Sequence, residues 1–150
     1  MTSVFSPEAF MQSQFTEANE TIFVAVPEGE FPAVIKSVEC NSWQSRDGSK
    51  SGLKLDLVWS VDDESVKATT GMTEPQVRQS VMLDLTEQGG LAVGANKNVN
   101  LGRLREAVGQ NQSGKPWNPM MLQGQVARIA VKHRLYEEQT FAEVKGVTKL

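Results

Sequence analysis

The sequence has few of the residues that build disulfide frameworks and metal sites. Among its 150 residues there is one cysteine, Cys40, and one histidine, His133. A disulfide within the chain is therefore excluded, and so is a zinc cluster of several cysteines and histidines. Cys40 has no base beside it in sequence, so burial is its expected role. His133 shares the phase of Ile129 and Val131, which predicts a hydrogen-bonded position in the core or at its end.

Long apolar stretches are also missing. No run reaches the roughly 20 apolar residues that span a bilayer. The beginning, MTSVFSPEAF, lacks the basic segment and apolar run of a secretory signal. We therefore expect a soluble intracellular protein, whose length suits one domain.

Motifs for catalysis or for a cofactor are scarce. Residues 109–116, GQNQSGKP, have the spacing of a phosphate-binding loop, but Pro116 stands where a hydroxyl would bind magnesium, and the segment follows a helix. Asp62, Asp63 and Glu64 are expected to be a solvated charge run in a loop. With no nucleophile–base pair and no paired-acid motif, the sequence predicts a protein that is not an enzyme and that uses no metal or cofactor.

Charge of one sign is missing from one part of the chain and almost missing from another. The net charge is −3, but residues 1–30 hold five glutamates and no basic residue. Residues 97–134 hold seven basic residues against Glu106 alone. Because local potential steers a charged ligand, this distribution predicts a basic surface on an acidic protein.

The chain divides at Pro27 into an acidic N-terminal arm, residues 1–27, and a domain, residues 28–150. The arm is polar with scattered Phe and Met side chains. A short helix is predicted in it, with Ser6 as the N-cap and Pro7 at the first helical position.

Five stretches of the domain alternate between apolar and polar residues, as half-buried strands do. The first two flank a Gly- and Ser-rich turn and predict a hairpin with a bulge near Lys36–Ser37. In the second stretch, Leu55, Leu57 and Trp59 share one face. The last two stretches predict a second hairpin. The five stretches are PEGEFPAVIKSVECNSW, LKLDLVWSV, VRQSVMLDLT, ARIAVKHRLY and FAEVKGVTKL.

One helix is predicted within the domain, NLGRLREAVG, with Asn100 as its N-cap and Gly109 at its end. The stretch VDDESVKATTGMTEPQ is expected to be a charged loop. Runs of strands without alternating helices argue against a doubly wound α/β fold. The order instead predicts a mainly β protein. It fits a small five-stranded OB-type barrel with one helix between strands 3 and 4, although other small barrels share this count.

Cations and aromatic rings recur in three parts of the predicted barrel. Binding a single strand without sequence preference requires both, since cations contact phosphates and bases stack on flat rings. If neighbouring strands continue the same face, these side chains line one concave surface. The predicted nucleic-acid-binding residues are Trp43, Arg46, Lys50 and Lys54 in the first hairpin, Lys115 and Trp117 after the helix, and Arg128, Lys132, Arg134 and Tyr136 in the fourth strand.

Each residue type in this set also has a plain structural interpretation. Trp43, at the end of a strand, suits a packed position and an exposed, stacking position equally well. Trp117, between two prolines, suits a position that plugs the end of the barrel and an exposed, stacking position equally well. Basic residues on strand exteriors often only keep a protein soluble or block edge aggregation. Their concentration on the fourth strand and its approaches favours binding.

Several segments resemble bacteriophage-encoded single-stranded DNA-binding proteins of the OB-fold type. The resemblance covers about residues 20–150 and is a diffuse pattern of strand starts and glycines. It implies an OB fold and a role in the cytoplasm of the infected bacterial host, protecting or organising single strands in phage DNA replication or recombination. The segments are PEGEFPAVIKSVE, SRDGSKSGLKLDLVW, VMLDLTEQGG, NVNLGRLREAVGQNQSGKPW and FAEVKGVTKL.

The ending GVTKL departs from many single-strand binders, which end in an acidic tail that recruits replication enzymes. The acidic arm, residues 1–27, is a candidate to recruit replication or recombination proteins, or to cover the basic face until DNA displaces it. A disordered or edge-packed arm is the alternative. The alternative function is an OB-like protein-interaction or virion-associated structural module without nucleic acid. RNA as a ligand and a homo-oligomeric state stay open.

Overall fold

The computed structural model describes residues 5–150, so the first four residues of the arm lie outside it. The protein is mainly β, with few and short helices. No helix in the described range combines the length and apolar character needed to cross a membrane. In chain order the elements are α1 (Pro7–Gln12), β1 (Gly29–Gln44), β2 (Ser51–Val61), α2 (Glu64–Thr70), β3 (Gln76–Met82), α3 (Val99–Ala107), a 3₁₀ helix (Pro119–Leu122), β4 (Val126–Tyr136) and β5 (Gln139–Thr148).

The five strands form one sheet that closes into an uneven ring in the order β1-β2-β3-β5-β4. Its neighbours are antiparallel except for β3 and β5, which are parallel and joined by one residue pair, Arg78 with Glu143. The long strand β1 pairs with β4 through its first part and with β2 through its second part. The predicted bulge in β1 is confirmed, because the register shifts between Ile35 and Ser37.

The core fills the inside of the ring. Leu55, Leu57 and Trp59 of β2 are buried on one face, as their alternation predicts. Leu101 and Leu104 of α3 are also fully buried, and α3 packs against both β3 and β5. Burying one such aliphatic side chain stabilises the fold by about 1.5–3 kcal/mol, so α3 contributes to closing the ring.

Helix α1 of the arm begins as the sequence predicts. Ser6 is its N-cap, and the Ser6 hydroxyl accepts a hydrogen bond from the backbone N–H of Ala9 at 3.4 Å. Pro7 occupies the first helical position, where its missing N–H has no consequence. None of the residues of α1 is buried against the barrel.

The predicted charged loop between β2 and β3 was wrong in part, because it contains α2. Asp63 is the N-cap of α2 and accepts from the backbone N–H of Val66 at 3.0 Å, while Gly71, with φ +70°, ends the helix. Hydrogen bonds from Ser65 and Val66 lower the pKa of Asp63. Only Val66 of this helix is buried, so the apolar period that would reveal a helix is absent.

The N-cap predicted for α3 was also wrong, because the helix begins after Asn98 rather than after Asn100. The Asn98 side chain makes no capping bond. Its Oδ1 instead accepts from the backbone N–H of Asp84 at 2.8 Å, and its Nδ2 donates to the carbonyls of Asp84 and Ala92, both at 2.9 Å. Asn98 therefore fixes the loop after β3 to the start of α3. The helix ends before Gly109, which has φ +72°.

Cys40 is exposed, which corrects its expected burial, and His133 is exposed as well and lies outside the core. Cys40 lies in the part of β1 that extends beyond its pairing with β4, which ends at Val34. His133 is hydrogen-bonded as expected, since its Nε2 lies 2.7 Å from the carbonyl oxygen of Val26. It is not in the core because the β4–β5 hairpin projects from the barrel, where Leu135 is 72% exposed.

Candidate nucleic-acid interface

The strand register makes side chains of all five strands point outward from the barrel, and a chain of paired residues links them from one strand to the next. Directly paired residues point to the same side of a sheet, and alternation carries that side along each strand. We call this surface the outer face. Its residues are Asn41 and Trp43 of β1, Gly52, Lys54 and Asp56 of β2, Arg78, Ser80 and Met82 of β3, Lys132, Arg134 and Tyr136 of β4, and Phe141 and Glu143 of β5.

Trp43 lies at the β1–β2 end of the outer face, opposite Gly52. Its indole packs directly over this glycine, since a Cβ atom added at Gly52 would lie 2.9 Å from Trp43 Nε1. The residue is half-buried, and within residues 5–150 its Nε1–H has no hydrogen-bond partner. The structure thus places this ring outside the core.

The turn of the β1–β2 hairpin carries the exposed Arg46 and Lys50, and Asp47 holds its shape. Asp47 Oδ1 accepts from the backbone N–H of Ser49 at 2.9 Å and from the hydroxyls of Ser49 and Ser45, each at 2.7 Å. The backbone bond from Ser49, followed by the two hydroxyl bonds, lowers the pKa of Asp47 to about 2. The two cations therefore extend from an ordered turn beyond Trp43.

The middle of the outer face is polar and internally paired. Asp56 accepts hydrogen bonds from the Ser80 hydroxyl at 2.6 Å and from Asn41 Nδ2 at 2.7 Å, and Lys54 Nζ lies 3.6 Å from its Oδ1. Burial by itself would raise the pKa of Asp56, but the bonds from Ser80 and Asn41 and the charge of Lys54 outweigh it, so this pKa is lowered. Asp56 therefore partly neutralises Lys54.

An open groove of about 650 Å³ lies at the opposite end of the outer face, and we call it the outer groove. Three cations line it, Arg78, Arg134 and Lys145, together with the exposed ring of Phe141. Glu143 lies among them, with Oε2 3.7 Å from Arg134 Nε and Oε1 3.9 Å from Lys145 Nζ. Three cations against one carboxylate, beside an aromatic ring, meet both requirements for holding a single strand.

The end of the arm forms one wall of the outer groove. Val24 and Val26 are among its lining residues, and Val26 is anchored in the core at 2% exposure. Glu28 Oε2 accepts from the backbone N–H of His133 at 2.9 Å, and this bond is the main cause of the lowered pKa of Glu28. Because His133 also contacts the Val26 carbonyl, the arm joins the barrel at the base of the β4–β5 hairpin.

The predicted residues of β4 are all exposed, but they are not equally close to the outer groove. Lys132 is paired in register with Glu143 of the groove, and Tyr136 lies at the hairpin tip. Arg128 is paired with Pro32 and Thr148, about 13 Å along the strand from Lys132. Arg128 therefore points outward on a different part of the barrel wall.

Trp117 and Lys115 lie with α3 rather than on the outer face. Trp117 Nε1 donates to Gln110 Oε1 at 2.9 Å, and the Arg105 guanidinium carbon lies 4.2 Å from the Trp117 ring centroid. The ring also packs against the core. Lys115 is exposed in the loop that follows α3. The contacts of Trp117 therefore favour the plugging interpretation over the stacking one.

A larger groove, of about 760 Å³, runs between α3 and the end of β5. Arg103 and Lys149 line it together with Glu106, Val99 and Val147. None of its lining residues is aromatic, and it includes none of the predicted contact residues. It is therefore a weaker candidate for single strands than the outer groove.

The sequence did not predict four residues of the outer groove: Arg78, Phe141, Glu143 and Lys145. Arg78 stands alone among uncharged neighbours in the third strand, so no charge cluster pointed to it. The other three are in the last strand, whose position beside β3 depends on ring closure. Closure pairs strands that are far apart in sequence, and period-two alternation carries no signal for that pairing.

No protein-family model matches this sequence, and no curated protein matches it. Within residues 5–150, no group of three or more His, Cys, Asp or Glu side chains is arranged to hold a metal ion. The interpretation of the outer face therefore depends on its geometry and charge.

Proposed function

We propose that this chain is a non-catalytic, OB-type protein that binds single-stranded DNA largely without sequence preference. The observation that carries the proposal is the outer face itself. On this face the Trp43 ring, the Phe141 ring and the cations Arg78 and Arg134 all point outward from successive strands of the sheet, and Arg78, Arg134 and Phe141 line one groove.

The strand order supports the OB-type assignment. A five-stranded Greek-key ring is the OB architecture, and its β2–β3 surface and the loops joining strands 1–2 and 4–5 bind oligonucleotides. Here the order β1-β2-β3-β5-β4 has α3 between β3 and β4. The outer face occupies β2, β3 and both hairpins, which is the location expected for such a ligand.

The spacing of the outer face suits a short single strand. The Arg134–Phe141 pair and the Trp43–Gly52 pair are separated by eight residue positions along the strand direction, which corresponds to about 26 Å. OB folds contact about 4–16 nucleotides. Since Asp56 repels phosphates at the middle of the face, we expect phosphates to follow the cations at its two ends while bases lie over the middle.

A fluorescence titration tests the proposal. Oligo-dT should quench part of the tryptophan emission through Trp43, since Trp59 is buried and Trp117 is bound to Gln110. Raising salt from 50 to 200 mM should release the strand, with a log–log slope of about −0.7 for each phosphate contact. Oligo-rU of equal length reports RNA preference. Absence of quenching together with absence of salt-dependent binding would reject the proposal.

The resemblance to bacteriophage single-stranded DNA-binding proteins supports a particular setting. We propose that the protein protects or organises single strands during phage DNA replication or recombination in the cytoplasm of a bacterial host. In that setting the acidic arm, which is fastened beside the outer groove, either contacts replication or recombination proteins or limits access to the groove.

The exposed apolar side chains of the arm favour a second candidate, a protein-interaction or virion-associated module without nucleic acid. Phe10, Phe15 and Phe23 are 65%, 68% and 93% exposed. Such rings in a segment without cations suit a basic protein surface. The same titration separates the two candidates, since only the first predicts quenching that salt reverses.

A further inference from the structure

The three tryptophans are held in place in different ways. Trp59 Nε1 donates to Gln79 Oε1 at 2.8 Å, and Trp117 Nε1 donates to Gln110 Oε1 at 2.9 Å. The Trp43 Nε1–H is buried without a hydrogen-bond partner within residues 5–150. Van der Waals contact, rather than a hydrogen bond of its indole N–H, therefore determines where the Trp43 ring lies.

Gly52 supplies that contact. A Cβ atom added at Gly52 would lie 2.9 Å from Trp43 Nε1, 3.2 Å from Cε2 and 3.3 Å from Cζ2. The first distance is shorter than real Cβ atoms make, and the other two are shorter than most such contacts, so the ring occupies the space of the missing side chain. A glycine within a strand usually weakens it, and often marks a place where another group approaches the backbone closely.

We infer that Gly52 is a positioning residue that holds the Trp43 ring flat on the outer face, and that this pair makes the protein prefer unpaired bases over duplex. The inference rests on the proposed function. Phosphates are available in single strands and duplexes alike, whereas the flat faces of bases are available for stacking only where they are unpaired. The cations therefore bind the phosphates of both ligands, whereas the Trp43 ring on Gly52 stacks only on the bases of the single strand.

The test compares four variants with the wild type: Gly52→Ala, Trp43→Ala, the double variant, and Gly146→Ala. Gly146 is the matched control, because it is also a strand glycine and an added Cβ would make only an ordinary contact, 3.9 Å from the Ala130 Cβ. Each protein is titrated with oligo-dT and with a duplex of equal length at one salt concentration. Circular dichroism on heating checks that each variant folds.

We expect Trp43→Ala and Gly52→Ala each to weaken single-strand binding about 5- to 100-fold, as loss of one stacked base predicts, and to change duplex binding less than about twofold. The double variant should bind like Trp43→Ala alone, because both changes remove one interaction. Gly146→Ala should bind both ligands like the wild type.

Three binding results overturn the inference while leaving single-strand binding established. In the first, Gly52→Ala binds oligo-dT with the same affinity as Gly146→Ala. In the second, Trp43→Ala and Gly52→Ala lose as much affinity for duplex as for the single strand. In the third, the losses of affinity of the two single variants add in the double variant. A wild type that binds neither ligand overturns the proposed function and this preference together.

A measurement without nucleic acid tests the position of the ring by itself. The emission spectrum of Trp43 is obtained by subtracting the spectrum of a Trp43→Phe variant from the spectrum of the same protein with Trp43 intact. This difference spectrum should shift to longer wavelength in Gly52→Ala, whose Cβ displaces the ring into water, and should stay unchanged in Gly146→Ala. An unshifted spectrum in Gly52→Ala contradicts the role of Gly52 whatever the ligand.

Discussion

At the scale of single residues, Glu143 limits the charge of the outer groove. Its carboxylate lies 3.7 Å from Arg134 Nε and 3.9 Å from Lys145 Nζ. Glu143→Gln should therefore tighten oligo-dT binding about two- to fivefold, because it frees two cations from exposed ion pairs that are each worth at most about 1 kcal/mol. The measurement is a fluorescence titration at low salt.

Glu87→Gln is the control for that change, because it removes the same charge from an exposed turn outside the outer groove. It should alter affinity less than Glu143→Gln. Equal tightening by both variants would show that net charge matters and that the position of Glu143 does not.

Arg134 and Arg128 provide a second comparison between residues. Both are exposed on β4, but only Arg134 lines the outer groove. Arg134→Ala should weaken binding and reduce the salt slope by about 0.7, as loss of one phosphate contact predicts. Arg128→Ala should have a smaller effect on both quantities. A larger effect of Arg128→Ala would place the strand on another part of the barrel wall.

The lowered pKa of Asp47 makes the stability of the β1–β2 turn depend on pH. Because the folded-state value of about 2 is lower than the ordinary value of 3.8, this carboxylate stabilises the turn fully above about pH 4. The contribution is lost as pH falls from 3.8 towards 2. NMR titration of the Asp47 carboxyl carbon should show a midpoint near pH 2, and a midpoint near 4 would contradict the hydrogen bonds from Ser45 and Ser49.

Some residue roles could be predicted from the sequence and others could not. The outward direction of Lys132 and Arg134 follows from alternation within one strand, which is local information. The partners Arg78 and Glu143 depend on which strands become neighbours when the ring closes. The contact of Trp43 with Gly52 depends on hairpin register, which is fixed by the turn as much as by the apolar pattern.

At the scale of elements, the arm is the part whose effect on binding can be isolated. It carries Glu8, Glu17 and Glu20 and leaves the barrel along the outer groove. Deleting residues 1–24 should tighten oligo-dT binding, most strongly at low salt, if these carboxylates compete with phosphates. The deletion retains Val26 and Glu28, the contacts that fasten the arm to the barrel.

The control for the deletion is a full-length variant with the three glutamates changed to glutamine. It should tighten binding as much as the deletion does, because it removes the same charge. Unchanged or weaker binding in both variants would mean that the arm does not cover the groove, and would favour its role in contacting other proteins.

The helices and strands with a clear apolar periodicity could be predicted from the sequence, and α2, which lacks it, could not. The five strands and α3 have clear apolar patterns and were predicted, although α3 begins after Asn98, whose side chain binds the loop after β3 instead of capping the helix. Helix α2 was missed because it buries one residue, Val66. Capping by Asp63 and Gly71 gives this short helix its ends, but these residues also suit a loop.

At the scale of the whole molecule, the fold class, the number of strands and their order along the chain could be read from the sequence, and a barrel was expected, whereas the residue pairing that closes the ring could not be predicted. The junction of β3 and β5 is one residue pair, Arg78 with Glu143, and it brings the β4–β5 hairpin to the outer face. Without this junction Trp43 and Phe141 would belong to unrelated surfaces. The proposed function therefore depends on closure.

The most direct test of the proposed interface is amide and indole chemical-shift mapping of the wild-type protein during titration with oligo-dT. A strand bound on the outer face should perturb one band of signals that includes the Trp43 indole N–H, Arg78 and Phe141, with little change at Arg103 and Lys149 in the groove beside α3. Perturbations confined to that second groove, or scattered over unrelated parts of the barrel, would contradict the proposed interface.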